Sequence, residues 1–400
     1  MEKNNWKTEK LQKLGTFDKG LGISKTDILA QGVPCIRYAE IYTKYDFLVK
    51  NCVSHISRQI AETSKPIIRG QLLFAGSGET VEDIGKCVAY LGNETAYASG
   101  DIIIFTFKTP NQNALFYSYY LNTVARRTLN KLGEGQSIVH IYADDLSKVL
   151  VPIVSLEEQR RIVEVLECWD KGIELVKKLI EQKELQKKYL MQQLLSGVLR
   201  LKGFTQKWGK KPLGKLITLY QGYPFKSETY SAQGHYKIIT IANVKQGYLD
   251  LAKFSTIQVL PPDILNYQQL DVGDILISMT GNVGRVCLVN SKNCLLNQRV
   301  GKIEANLLNK EFLFYILQLP DFLNVMLACA QGGAQANLST KDIYHYVLFY
   351  PSDAREQQAI AEVLSSADKE IDLLKQKLAK LEAQKKGLMQ VLLTGKIRLK

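Results

Sequence analysis

Two stretches of the chain repeat apolar residues in alternating steps of four and three. The later one runs through Ile360, Leu364, Ala367, Ile371, Leu374, Leu378 and Leu381, then Leu388 and Leu392. The earlier keeps the same register at Ile162, Leu166, Trp169, Ile173, Val176 and Ile180, then Leu190 and Leu194. Steps averaging ~3.5 residues predict a coiled-coil seam on a long helix. Lys183, Lys187 and Lys385 fall on core positions of these seams, where a polar side chain weakens the packing and helps fix its register. Between and before these stretches the pattern shortens. Runs at 102–105, 238–241, 272–277 and 286–289 predict strands bounded by turn residues, and 115–121 and 312–319 predict helices.

Both long helices have readable ends. Ser155 with Glu158, and Asp353 with Glu356, each fit a capping box, with Pro152 or Pro351 just upstream. Gly197 and Gly395 stand where a left-handed C-cap is expected. A helix of about 41 residues is a rod of roughly 60 Å. An apolar seam that long needs a partner, and the other copy supplies one. The expectation is two rods packed antiparallel with a globular domain at each end, a dumbbell with a pseudo-twofold.

The two stretches are copies. Residues 158–202 align without a gap onto 356–400, and about half of the pairs are identical, including Glu158/Glu356, Gln159/Gln357, Asp170/Asp368, Gly197/Gly395 and Arg200/Arg398. Upstream the likeness is fainter: at an offset of 202, Trp6, Leu11, Leu14, Gly20 and Gly32 fall on Trp208, Leu213, Leu216, Gly222 and Gly234. GQLLF (70–74) likewise resembles GDILI (273–277). The expected organisation is a mixed α/β (α+β) fold in four parts. Residues 1–152 and 203–350 form two variable domains, and 153–202 and 351–400 form the helical elements.

Composition changes the picture little. With 400 residues, 46% hydrophobic and 23% charged, the chain has material for buried cores and is neither disordered nor collagenous. No run approaches the ~18 apolar residues of a membrane helix. The seven cysteines are scattered and form no CxxC pair, which argues against structural zinc and fits a reduced, cytoplasmic setting. The net charge of +13 is spread along the chain and suits a polyanionic partner.

Catalytic signatures are missing. Phe74-Ala-Gly-Ser-Gly78 matches the short FxGxG pattern of S-adenosylmethionine sites, yet five loose positions recur by chance. The Asn/Asp-Pro-Pro-Tyr/Phe loop of an adenine methyltransferase is absent. No GxxxxGK[ST], HExxH or GxSxG occurs, and the four histidines are isolated. No catalytic residue and no metal ligand is therefore assigned, and binding is the better prior.

Side chains able to read base edges are plentiful, since Arg suits guanine and Asn or Gln suits adenine. In the second variable domain the candidates are Tyr220, Gln221, Tyr223 and Lys226, then Asn282 and Arg285, then Asn297, Gln298 and Arg299, and finally Gln335 and Asn337. In the first they are Lys19, Lys25, Arg37, Tyr38, Lys86, Gln136 and Ser137. Each residue alone reads as an ordinary polar loop; recurrence at matching places in both halves makes the case. Two unlike reading domains on a spacer of fixed length predict a bipartite, asymmetric target with an unread gap.

The whole chain resembles the specificity subunit of type I restriction–modification systems. The marks are the paired Glu-Gln helix starts (158–159 and 356–357) and the LMQxLLxGxxRLK helix ends. GDILISMTGNVGRV and GGAQANLSTKDI in the second domain, and ETVEDIGK and GQSIVHIYADDL in the first, add to them. The resemblance implies two target recognition domains on double-stranded DNA and no catalysis by the chain itself. It also implies two methyltransferase subunits docked through the helical repeats, restriction subunits joining them, and no membrane. S-adenosylmethionine, ATP and Mg would be used in the partner subunits, with no cofactor bound by this chain. Two other readings stay open: a coiled-coil scaffold without DNA readout, and a self-contained methyltransferase.

Overall fold

In the computed structural model the described residues are 6–133, 139–330 and 336–399. The chain divides into two compact units. One takes the chain up to Lys177 together with the segment from Gln376; the other runs from Lys178 to Lys375. The helices are as long as the periodicity demands: Leu156–Leu195 is a central helix of 40 residues and Ala354–Leu392 a C-terminal helix of 39. Each unit contains the first part of one helix and the last part of the other.

Within each unit these segments run antiparallel. In the first, Glu158, Asp170 and Lys177 face Arg398, Lys385 and Glu382. In the second, Lys183, Lys187 and Arg200 face Glu370, Asp368 and Glu356. The seam is buried where expected: Ile162, Leu166, Ile173, Val176 and Ile180 on one helix, Ile360, Leu364 and Ile371 on the other. Trp169, Leu374, Leu378 and Leu381 are half-buried. The lysines on core positions are not bare intrusions. The buried Lys385 and the half-buried Lys187 pair with Asp170 and Asp368 of the facing segments, and the half-buried Lys183 pairs with Glu370, so each cation meets its counter-charge.

The helix ends correct the capping-box expectation. The Glu158 N–H bonds Ser155 Oγ at 3.3 Å, but its carboxylate reaches Arg398 instead of closing the box. The Glu356 N–H bonds the Asp353 carbonyl, and its carboxylate goes to Arg200. An arginine on the facing segment outbids a local backbone N–H because the pair is charged on both sides. Gly197 and Gly395 are left-handed, with φ of 74° and 69°, as C-caps require.

The two α/β domains share one topology. In the first, an antiparallel sheet runs Gly15–Lys19, Ile102–Phe107, Leu72–Ala75, Cys87–Tyr90, with the short strand Leu48–Val49 parallel at its edge. In the second the order Ile217–Gln221, Val300–Ala305, Ile275–Ser278, Val286–Leu288 repeats it. Each domain has a second four-stranded sheet with a parallel pair at its centre, Val33–Ile36 with Ala96–Ala98 and Tyr236–Ile239 with Cys294–Leu296. The faint upstream likeness is therefore a duplicated fold. Phe74-Ala-Gly-Ser-Gly78 is the end of a strand whose continuation pairs with Val139–His140.

Each unit has one main core. Leu72, Phe74 and Phe105 of the first sheet pack on the helix Ala114–Thr123, on Ile162 and Leu166, and on Met389 and Leu392. Ile275, Ile277 and Ile303 pack on the helix Lys310–Ile316, on Ile360 and Leu364, and on Leu194 and Leu195. One glutamine fastens each joint. Gln159 Oε1 accepts from the Asn113 N–H at 2.7 Å and Gln357 Oε1 from the Asn309 N–H at 2.8 Å, while their amides donate to the carbonyls of Val154 and Pro351. Asn113 and Asn309 are the N-caps of those two helices.

Candidate nucleic-acid interface

Antiparallel pairing gathers the candidate readers at one end of each main sheet. In the second unit, the C-terminal ends of Ile217–Gln221 and Ile275–Ser278 meet the N-terminal ends of Val300–Ala305 and Val286–Leu288. Gln221, Asn282, Arg285, Gln298 and Arg299 therefore lie at one edge. Asn337 joins them through a bridge to Thr280, whose hydroxyl is 3.2 Å from its amide oxygen. In the first unit the same edge holds Lys19, Ser77, Lys86 and Asp101. His140 stands in the place of Asn337, with Nδ1 3.0 Å from Ser77 Oγ.

Two glycines let these edges close. A Cβ on Gly222 would lie 2.1 Å from the Asn297 carbonyl oxygen, and one on Gly20 would lie 1.9 Å from that of Ser99. No side chain fits such an approach, which is why this pair stands out when the halves are aligned.

The structure sorts the candidates. Lys19, Lys25, Gln221, Lys226, Asn282, Gln298, Arg299 and Asn337 are exposed. Others are committed within the protein. Arg37 Nε donates to Glu40 at 2.9 Å, and Glu40 also accepts from Ser54 Oγ. Lys86 Nζ donates to the Tyr45 carbonyl at 2.7 Å, and burial holds its ammonium pKa below the ordinary value. Both cations therefore serve the fold, where the sequence reading had them facing DNA. Asn297 is buried, and its N–H bonds the Ile239 carbonyl in the strand-to-strand turn. Tyr38 is half-buried near that turn's counterpart, its N–H on Ser99 Oγ at 3.3 Å.

Tyr220 stacks on Tyr267 at 4.6 Å, and Tyr223 donates to Asp263 at 2.7 Å, a hydrogen bond that raises its phenol pKa. Arg285 is half-buried, its N–H held by Ser278 Oγ at 3.1 Å. Gln136, Ser137 and Gln335 lie outside the described residues. Asp101 was not among the candidates; the 198-residue offset of the helices, carried on into the domains, sets it opposite Arg299. Among the described residues no group of His, Cys, Asp and Glu is arranged to hold a metal ion. Among the same residues no single helix is long and apolar enough to cross a membrane.

The sequence profile of the type I restriction modification DNA specificity domain matches residues 3–185 and again 205–383. The chain belongs to that family. Its two matched α/β domains are the two target recognition domains of a type I specificity subunit. It is 30% identical over 306 residues to the type I restriction enzyme MjaVIII specificity subunit of Methanocaldococcus jannaschii, across 72% of this chain and 70% of that one. In fold it is similar to the type I restriction–modification S subunit from M. genitalium. The TM-score is 0.61 at 16% identity, covering 98% of this chain and 97% of that one. A chain solved in work on complex assembly and conformational transition of a type I system gives a TM-score of 0.60 at 17% identity, covering 98% and 99%. The paired helices and twin domains of this specificity subunit are thus the family's architecture.

Proposed function

We propose that each target recognition domain reads one half of a bipartite, asymmetric site on double-stranded DNA through its strand-end edge. The observation that carries this reading is one scaffold holding two side-chain sets. Gln221, Arg299 and Asn337 in the second domain stand where Lys19, Asp101 and His140 stand in the first. A shared fold with divergent polar tips is what two different short sequences call for. The net charge of +13 supports a DNA partner.

The paired helices act as the spacer, and the same helix-and-domain surface, present once in each unit, docks two copies of one methyltransferase subunit. Restriction subunits join that complex. S-adenosylmethionine, ATP and Mg belong to the partner subunits, and this chain, acting in the cytoplasm, contributes recognition without catalysis.

The test is sequencing of N6-methyladenine in host DNA with and without the gene. Loss of a single bipartite asymmetric motif on deletion is the expected result. An unchanged methylome, together with no salt-sensitive DNA binding by the reconstituted complex, would favour a scaffold.

A further inference from the structure

The turn that opens the second strand of the main sheet, Ile102–Phe107 or Val300–Ala305, is the same in both recognition domains. In the first, the Ile102 N–H bonds the Ser99 carbonyl at 3.1 Å and the Ser99 N–H bonds Ile36 at 3.0 Å. In the second, Val300 bonds Asn297 at 2.8 Å and Asn297 bonds Ile239 at 3.2 Å. The third residue of each turn accepts from the neighbouring loop, Asp101 from the Gly76 N–H at 2.8 Å and Arg299 from the Met279 N–H at 3.1 Å. Asp101 and Arg299 therefore occupy one backbone position in two copies of a domain, with opposite charge. Both side chains are exposed, and neither has a hydrogen bond or ion pair among the described residues.

An unpaired carboxylate on an edge that meets DNA is repelled by the phosphates. It is favourable only where it meets a donor. In the major groove the donors are the amino groups of cytosine and adenine, and adenine sets an acceptor, N7, beside its amino group. Guanine and thymine offer a carboxylate only acceptors there, so it also excludes them. Asp101 lines an open cleft of about 440 Å³ together with Lys19, Ser77, His140 and Tyr142. Asp18, on the same cleft, is already paired with Lys65.

We propose that Asp101 is a specificity-determining residue of the first recognition domain, accepting a hydrogen bond from the exocyclic amino group of a cytosine in the first half-site. The assignment rests on the DNA reading proposed above. Arg299, its counterpart, has the chemistry to donate to guanine O6 and N7 in the second half-site.

The experiment uses the full-length chain reconstituted with its methyltransferase subunits and a double-stranded DNA library randomised across the site. Selected sequences are compared for the unaltered chain, Asp101→Asn, Asp101→Ser and Arg299→Gln. Both Asp101 variants should lose preference for cytosine at one position of the first half-site, by roughly 5- to 150-fold. All other positions should keep their preferences. Arg299→Gln should change the second half-site alone. Asp101 variants that select the unaltered sequence, or that weaken binding evenly at every position, would overturn the assignment while leaving DNA reading intact. No sequence selected by the unaltered complex is a different result, and it would overturn the DNA reading and the assignment together.

Discussion

Arg200, just beyond the central helix, donates to both carboxylate oxygens of Glu356 at 2.5 and 2.8 Å. Arg398 and Glu158 repeat this pair at 2.6 Å for each bond, 198 residues on for the arginine and 198 back for the glutamate. The glutamates are nearly fully buried, and each arginine lies over a tryptophan, Trp208 at 5.7 Å and Trp6 at 5.5 Å. Removing the arginine strands a buried carboxylate, which costs about 3 kcal/mol. Arg200→Ala is therefore expected to speed hydrogen exchange in residues 197–212 and 347–360 while the first unit keeps its protection. Equal exchange in both units would show that the pair holds nothing.

Gln357 joins the recognition domain to its helix through two backbone groups. Gln357→Ala leaves the Asn309 N–H and the Pro351 carbonyl unpaired in a buried joint, a loss of about 1–3 kcal/mol. Hydrogen exchange should rise first in the helix Lys310–Ile316. Second half-site recognition should weaken with it, the first being unaffected, as read by selection from a randomised duplex library.

Asp274 makes the second unit acid-sensitive. Burial alone would raise its carboxyl pKa, but Lys302 at 2.6 Å, the Asp271 N–H at 3.0 Å and Lys310 at 3.2 Å outweigh burial and hold it below the usual value. A carboxyl depressed in the folded state stabilises above its unfolded pKa and loses that contribution as pH falls through the folded value. The loss is thus expected below about pH 4. The first domain carries the neutral Gln71 at the same place, bonded to Thr106 Oγ1 at 2.8 Å. Acid titration followed by hydrogen exchange should show the second unit opening first. Asp274→Asn should remove that pH step and lower stability at neutral pH, because it leaves Lys302 without its counter-charge.

The long helices were legible because their period is strong and their copies align. The recognition domains were legible only in part. The strands Thr8–Lys10 and Trp208–Pro212 are polar and owe their form to pairing with Leu150–Pro152 and Val347–Pro351, partners far away in sequence. For the candidate interface, residue type pointed to polar loops but could not tell a free cation from a committed one. Lys86 is taken by a carbonyl 41 residues upstream, which no local pattern records. Asp101 drew no notice because an acidic residue is not an obvious candidate for DNA contact until its counterpart Arg299 is seen on the same turn.

The chain passes between the two units at equivalent points of its two helices, after Lys177 and after Lys375. Seven residues added at both points would lengthen each helix by about 10.5 Å and leave every clasp within a unit in register. With the helices as spacer, the unread gap should grow by about three base pairs at 3.4 Å each while both half-sites stay the same. Seven residues added after Lys177 alone would lengthen one rod against an unchanged partner and set the seams of the two units in conflict, so assembly should weaken. The measurement is the methylated motif of cells carrying each version. Methylation at the original gap in cells carrying the doubly lengthened chain would defeat the spacer role, since nothing else in the change touches the reading edges.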